Sequence, residues 1–308
     1  MVSFRLATIV ALATSFASAT VPKSAHFDLT EPSYDLFRSK PLHDDTVQQG
    51  FAFDNTNRRL FVSQRLNGAS DTSGNLCITQ LDFSGKILGH MHLTGFGHGV
   101  AFGAQASGSS TYLWTETDVN SNGYGQKLGR FKFVNGATLA HTSSSVQKFS
   151  PVSGGKEYTA SIDPVNNRLV VRYQLSDGKH IALYNLADAT KGDFSAPLVN
   201  FKQPLPPTKG KNFQGYTAYG SFLYLLWGDS YDVSSTLNSE VAAVDLNTGA
   251  VTQGPVLTKA GSTLSFREPE GLAIYETAAG EVRLFLGFAS GAAGDRRSNL
   301  FYKNATVA

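Results

Sequence analysis

The sequence predicts an all-β chain folded as a β-propeller of about five four-stranded blades, and three observations predict it. Five segments share one outline: a polar residue, usually followed by glycine, then a short apolar strand, a turn and a second strand. Their spacing is nearly constant. No stretch of eleven or more residues holds a helical period.

The five segments begin at Gln49, His98, Tyr158, Gln214 and Glu270, separated by 49, 60, 56 and 56 residues. That is about the length of one four-stranded blade with a generous loop. The first pairs Gln49-Gly50-Phe51-Ala52-Phe53 with Arg59-Leu60-Phe61-Val62-Ser63, and the second His98-Gly99-Val100-Ala101-Phe102 with Tyr112-Leu113-Trp114-Thr115. The third, Tyr158-Thr159-Ala160-Ser161-Ile162, lacks the glycine and precedes Arg168-Leu169-Val170-Val171. Gln214-Gly215-Tyr216-Thr217-Ala218 leads to Phe222-Leu223-Tyr224-Leu225, and Glu270-Gly271-Leu272-Ala273-Ile274 to Val282-Arg283-Leu284-Phe285-Leu286. Third strands follow at Leu76–Leu81, Gly129–Phe133 and Ala242–Leu246, each near a tight glycine turn at Gly85, Gly136 or Gly249. The fifth blade is one strand short at the C-terminus, and His26-Phe27-Asp28-Leu29 is expected to supply it and close the ring. A β-sandwich, the competing arrangement, needs no such recurring signature.

The N-terminus reads as a secretory leader over residues 1–19: one positive charge by Arg5, a short apolar run from Leu6 to Leu12, and the triplet Ala17-Ser18-Ala19. The apolar run is too short to span a bilayer, so a secreted, extracellular protein is expected, with residues 20–308 forming one propeller domain. Charged residues are 16% of the chain and the net charge is +2, which leaves no electrostatic footprint for nucleic acid or an acidic membrane surface. One cysteine, Cys77, excludes an intramolecular disulfide and reads as a buried strand residue. Asn304-Ala305-Thr306 is a glycosylation acceptor sequence.

In a propeller the innermost strands start at one mouth of the central channel, which predicts a ring of Gln49, His98, Tyr158, Gln214 and Glu270 there. Each of these polar residues has a plain reading, pinning the mouth by hydrogen bonds, beside the functional one. His98 stands out because Gly95, Gly97 and Gly99 remove bulk around one imidazole that can take or give a proton. Arg172, Lys211 and Arg267 lie in register with the mouth and suit a carboxylate or phosphate, and Tyr124 suits a sugar face. Glu116 and Asp118 are two further acids on the second blade, to pair with those bases or hold a metal. Asp44-Asp45 and Asp295-Arg296-Arg297 read as exposed loop charges. There is no phosphate-cradling glycine loop, no zinc-spaced His/Cys motif and no nucleophile elbow, so no cofactor or metal is expected.

Gln49–Asp54, Arg59–Gln64, Gly97-His98-Gly99, Tyr112-Leu113-Trp114 and Gly123–Gln126 together resemble the propeller family shared by phage receptor-binding proteins and TagC-like teichoic-acid-associated proteins. The resemblance covers nearly the whole chain after residue 19. Secreted fungal members of this broad group include lyases that remove terminal L-rhamnose from glucuronic acid. The resemblance therefore implies a carbohydrate-facing protein whose partner is a uronic-acid-bearing polysaccharide, and carries over His98 as the histidine of Gly-His-Gly. Lyase chemistry needs a cation on the carboxylate, a base and an acid: Arg172 or Arg267, His98, and Tyr158 or Tyr124 in that order, or His98 as both base and acid. A pair of carboxylates for hydrolysis is not evident in the sequence. A non-catalytic glycan-binding propeller, acting as a monomer through Tyr124, Trp114, Trp227 and the arginines, is the alternative. Glu268-Pro269-Glu270-Gly271 is similar to a motif of calcium-dependent lactonase propellers, which have six blades.

Overall fold

The computed structural model describes residues 20–204 and 210–308, so the leader expected over residues 1–19 lies outside the described residues. The chain enters through β1 (His26–Phe27) and β2 (Tyr34–Pro41), then builds each blade from the axis outward. The first blade is β3 (Gln48–Asp54), β4 (Arg59–Arg65), β5 (Leu76–Leu81) and β6 (Ile87–Thr94). The second comprises β7 (Gly103–Ser107), β8 (Ser110–Val119), β9 (Gly125–Lys132) and β11 (Gln147–Phe149), while β10 (Thr138–Ala140) crosses over to lie parallel to β6. The third is β12 (Lys156–Asp163), β13 (Arg168–Leu175), β14 (Gly178–Asn185) and β15 (Val199–Lys202), with a short helix α1 (Leu186–Thr190) before its last strand. The fourth is β16 (Phe213–Tyr219), β17 (Phe222–Trp227), β18 (Glu240–Asp245) and β19 (Val251–Leu257). The fifth takes β20 (Glu268–Glu276), β21 (Val282–Ser290) and β22 (Arg297–Lys303) from the C-terminal end, and its rim strand is β2. A final β23 (Thr306–Val307) pairs with β1.

The innermost strands β3, β7, β12, β16 and β20 touch their neighbours around the axis, and β20 returns to β3. The five-bladed propeller expected from the repeat is therefore the observed fold. Period-2 alternation explains its packing. Along β17, Leu223, Leu225 and Trp227 face the third blade while Tyr224 and Leu226 face the fifth. Each blade buries both faces this way, so the core is five clusters, one at each seam. Cys77 is fully buried, and burial pushes its thiol up to about 12.

Three expectations need correction. The strand that closes the ring is Tyr34–Pro41, not His26–Leu29: the 26–29 segment instead pairs with the C-terminal end and buries Phe27 and Leu29 at the seam of blades four and five. The inner strand of blade two starts at Gly103, because residues 98–102 form a loop rather than strand. Asp44 is not an exposed loop charge but is buried, its carboxylate accepting the Asn67 N–H at 2.7 Å.

Candidate functional site

One mouth of the channel opens into a cavity of about 500 Å³ to which every blade contributes. Gln49 and Arg65 come from blade one, His98, Val100 and Tyr124 from the loops of blade two, and Glu157, Thr159, Arg172 and Lys179 from blade three. Blades four and five add Asn212, Phe213, Gln214, Glu268 and Glu270. Concave, lined by apolar surface with convergent charged and polar groups, and assembled from several elements, this is the default ligand site.

The backbone device that aims these side chains is a β-bulge. Pairing of β3 with β4 skips a residue at Gln49, and β16 with β17 skips one at Gln214. In β20 the irregularity spans Glu270 and Gly271, and in β12 it spans Glu157 and Tyr158. An extra residue in one strand re-aims a side chain out of the pleat. In β12 it turns Glu157, at φ 53°, toward the mouth.

The ring predicted from the repeat is thus four-fifths present. Gln49, His98, Gln214 and Glu270 line the cavity, as do Tyr124 and Arg172. Tyr158 does not: it is fully buried between blades two and three, its hydroxyl donating to the Val152 carbonyl at 2.8 Å. Arg267 also lies away from the mouth. It is 0% exposed, and its guanidinium donates to the Ala260 and Thr258 carbonyls and to Ser239 Oγ while lying 4.4 Å from the Phe288 ring centre. Lys211 pairs with Glu240 at 2.7 Å beside the cavity rather than lining it. Trp114 and Trp227 are core residues, not sugar platforms. Asp118 pairs with Lys127, Lys148 and His141, none of them a base of the mouth.

The glycines also serve a different purpose from the one expected. A Cβ on Gly97 would stand 2.3 Å from the Glu116 carboxyl, and one on Gly125 would stand 2.5 Å from Glu116 Cβ. Gly97 and Gly125 make room for Glu116, while a Cβ on Gly95 would meet the His141 ring and one on Gly99 the Leu76 side chain, so the glycines around His98 clear space for protein side chains rather than for a ligand. Its carboxylate accepts the Gly99 N–H at 2.7 Å and the Gly125 N–H at 2.6 Å, tying the His98 loop and the Tyr124 loop to β8. Burial nonetheless pushes this carboxyl up to about 7, against those bonds.

The charged lining is arranged by wall. Arg172 lies 3.9 Å from the Phe213 ring centre and donates through Nε to Gln203 at 2.6 Å. Burial lowers its guanidinium to about 10, which still leaves it a cation at neutral pH. Lys179 pairs with Glu157 at 2.5 Å. On the opposite wall Glu268 and Glu270 face the cavity from alternate positions of β20. Burial raises both carboxyls, and Glu268 raises Glu270 further, so that Glu270 lies well above the usual range. Arg65, near both walls, lowers Glu268 and Glu270 and also His98. Burial is the larger cause for His98 and keeps its imidazole neutral. The ring stacks on Tyr124 at 5.6 Å between centres, 27° apart, and no hydrogen bond to its nitrogens is formed among the described residues.

Sequence reasoning missed Arg65, Glu157, Lys179 and Glu268. Arg65 had a signal, since it sits on the second strand of blade one as Arg172 sits on that of blade three. Glu268 had one too, two residues before Glu270 and so on the same strand face. With Glu157, they make three carboxylates in one cavity where the sequence showed no pair.

Comparison with known proteins agrees with this architecture. Residues 47–302 match the family described as the phage five-bladed β-propeller receptor-binding platform domain. A Bacillus subtilis (strain 168) protein named for major teichoic acid biosynthesis, protein C, is 28% identical over 295 residues, 91% of this chain and 64% of the relative. The tail fibre of Staphylococcus aureus phage P68 superposes with a TM-score of 0.71 at 20% identity, covering 90% of this chain and 54% of that one. The chain thus spans between about half and two thirds of the length of these relatives. The five-bladed ring, unlike the six blades of lactonase propellers, sets aside the calcium-lactonase resemblance. With more than three quarters of its length matched, the chain belongs to the phage five-bladed β-propeller receptor-binding platform family.

Proposed function

We propose that this is a secreted carbohydrate-active propeller whose mouth takes a uronic-acid-bearing polysaccharide and cleaves it beside the uronate by β-elimination. One observation carries the reading: the neutral, unpaired imidazole of His98 shares a cavity with the Arg172 guanidinium. Elimination requires a base for the proton α to the carboxylate and a cation to stabilise the charge that then builds on it. His98 takes the proton. Arg172, oriented by Gln203 and Phe213, holds the carboxylate, with Lys179 next to it. The Tyr124 hydroxyl, against the His98 ring, protonates the departing glycosidic oxygen, the role that buried Tyr158 cannot fill. A terminal rhamnose on glucuronate supplies such a linkage.

The second reading, a non-catalytic receptor-type glycan binder acting as a monomer, is favoured by the family to which the chain belongs. Incubation with gum arabic or another rhamnose-capped glucuronan separates the two. Elimination produces a conjugated uronate whose ultraviolet absorbance rises with time, and His98→Ala abolishes the rise while retaining binding. Absence of any rise, with equal binding by both proteins, rejects catalysis on this substrate and leaves the binder.

A further inference from the structure

Outside the lining of the mouth, on the outer strand β6 of blade one, three imidazoles converge. His90 and His92 are alternate residues of β6 and project from one sheet face, the face opposite Met91 and Leu93, which pack against blade two. His43 joins them from the loop that follows β2, two residues after the ring-closing strand ends. Its backbone N–H donates to Thr79 Oγ1 at 3.1 Å, and its neighbours Leu42 and Asp44 are buried, so the backbone of the loop is pinned while the ring is exposed. The His43 and His90 rings stack at 3.5 Å, and His92 lies 5.1 Å from His90 and 5.6 Å from His43 between ring centres.

We propose that His43, His90 and His92 bind a divalent transition-metal ion, of the Zn²⁺, Ni²⁺ or Cu²⁺ class, and that the ion staples the closing segment to blade one. One ligand atom from each residue falls within a group 4.8 Å across. Three nitrogens bound tetrahedrally at the usual metal–imidazole length stand about 3.3 Å apart. The site therefore closes by roughly 1.5 Å, a movement the exposed His43 ring makes by leaving its stack and turning its nitrogen inward. His92 supplies the independent sign of a ligand: its Nε2 is buried and has no hydrogen-bond partner among the described residues. A buried nitrogen left unpaired costs free energy that a metal bond recovers. Imidazole donors of this kind select borderline metals over Mg²⁺ or Ca²⁺, which demand oxygen. The inner side of the cluster adds Asp44 and Cys77 around the same His92, so His92 is the hub of both donor sets. Because β2 belongs to blade five and β6 to blade one, an ion here spans the seam between the last blade and the first.

The test uses the chain from residue 20 onward, freed of any affinity tag and stripped with chelator, titrated calorimetrically with ZnCl₂ and spectroscopically with Co²⁺. One ion binds per chain, Co²⁺ shows the intense visible bands of a low-symmetry nitrogen site, and the unfolding midpoint rises by roughly 5 °C at 100-fold excess over the dissociation constant. His43→Ala, at an exposed ring, leaves the fold intact and weakens binding tenfold or more, as does His90→Ala. His98→Ala leaves binding unchanged. Failure of Zn²⁺, Ni²⁺ and Cu²⁺ to bind stoichiometrically overturns the proposal. So does equal affinity in His43→Ala and His90→Ala, or loss of binding in His98→Ala, which would place the ion in the mouth.

Discussion

A single buried carboxylate links two loops of blade two to the ring: Glu116 accepts the backbone N–H groups of Gly99 and Gly125, and through them positions His98 and Tyr124. Its ordinary value of 4.5 is raised to about 7 by burial. Below the lower value both folded and unfolded chains hold the proton and nothing changes with pH. Between the two values the folded chain keeps a proton that the unfolded chain has released, so stability falls as pH rises through this window and levels above it. The full effect is about 3 kcal/mol by linkage. Glu116→Gln removes this slope, and its amide N–H₂ now faces one of the loop N–H donors, costing about 1–3 kcal/mol at pH 5. Urea unfolding of both proteins at pH 5 and pH 7 measures the difference. An unchanged slope in the variant means the carboxyl is not the titrating group. Sequence alone could not find this residue's role, because a glutamate in Trp114-Thr115-Glu116-Thr117-Asp118 alternates like any strand residue. Only the close approach of the glycines at 97 and 125 reveals what the space is for.

Elements show a clearer boundary between what is legible and what is not. The polar–glycine–apolar starts of β3, β16 and β20 were readable because glycine is needed there: Gly50, Gly215 and Gly271 bring neighbouring inner strands into backbone contact. A Cβ on Gly215 would stand 2.7 Å from Gly271 Cα, and one on Gly271 3.1 Å from Gly50 Cα. The bulges beside them were not readable, since one extra residue leaves no mark on composition yet decides that Glu157 and not Tyr158 reaches the mouth. The closing strand escaped for a related reason: in Tyr34–Pro41 only Phe37 is buried, so no alternation announces it. Gly215→Ala combines φ +146° with an immovable backbone contact and is expected to cost at least ~2 kcal/mol. Gly136→Ala serves as the comparison, with φ +76° but nothing within 4 Å of the added carbon. It carries backbone strain alone, about 1–2 kcal/mol. Thermal midpoints that drop equally in the two variants reject close packing at the axis as the reason for the Gly215 signature.

For the molecule as a whole, one blade is not built from a continuous run of chain: the fifth, whose rim strand comes from the N-terminal segment. β2 completes the sheet of blade five against β22, Phe37 and Leu42 enter the core shared by blades five and one, and Phe27 and Leu29 enter the core shared by four and five. β1 then pairs with β23, so the two ends of the described chain lie side by side. Without this segment, β22 becomes an unprotected edge and three of the five seam cores, which take Val21, Phe27 with Leu29, and Phe37, lose part of their filling. Deletion of residues 20–41 is therefore expected to abolish cooperative folding rather than to trim one blade. A gentler probe is Phe37→Ala, which removes a buried ring and costs about 3–5 kcal/mol. Because the inner strands of all five blades touch around the axis, that loss is shared by the whole ring. Far-ultraviolet dichroism and the fluorescence of Trp114 and Trp227, which lie in blades two and four, should shift together to the same lower midpoint. If the tryptophans keep the parent midpoint while the dichroism falls in two steps, blade five unfolds on its own. Ring closure then protects only its local sheet, and the mouth, to which every blade contributes, would depend on the seam far less than its geometry implies.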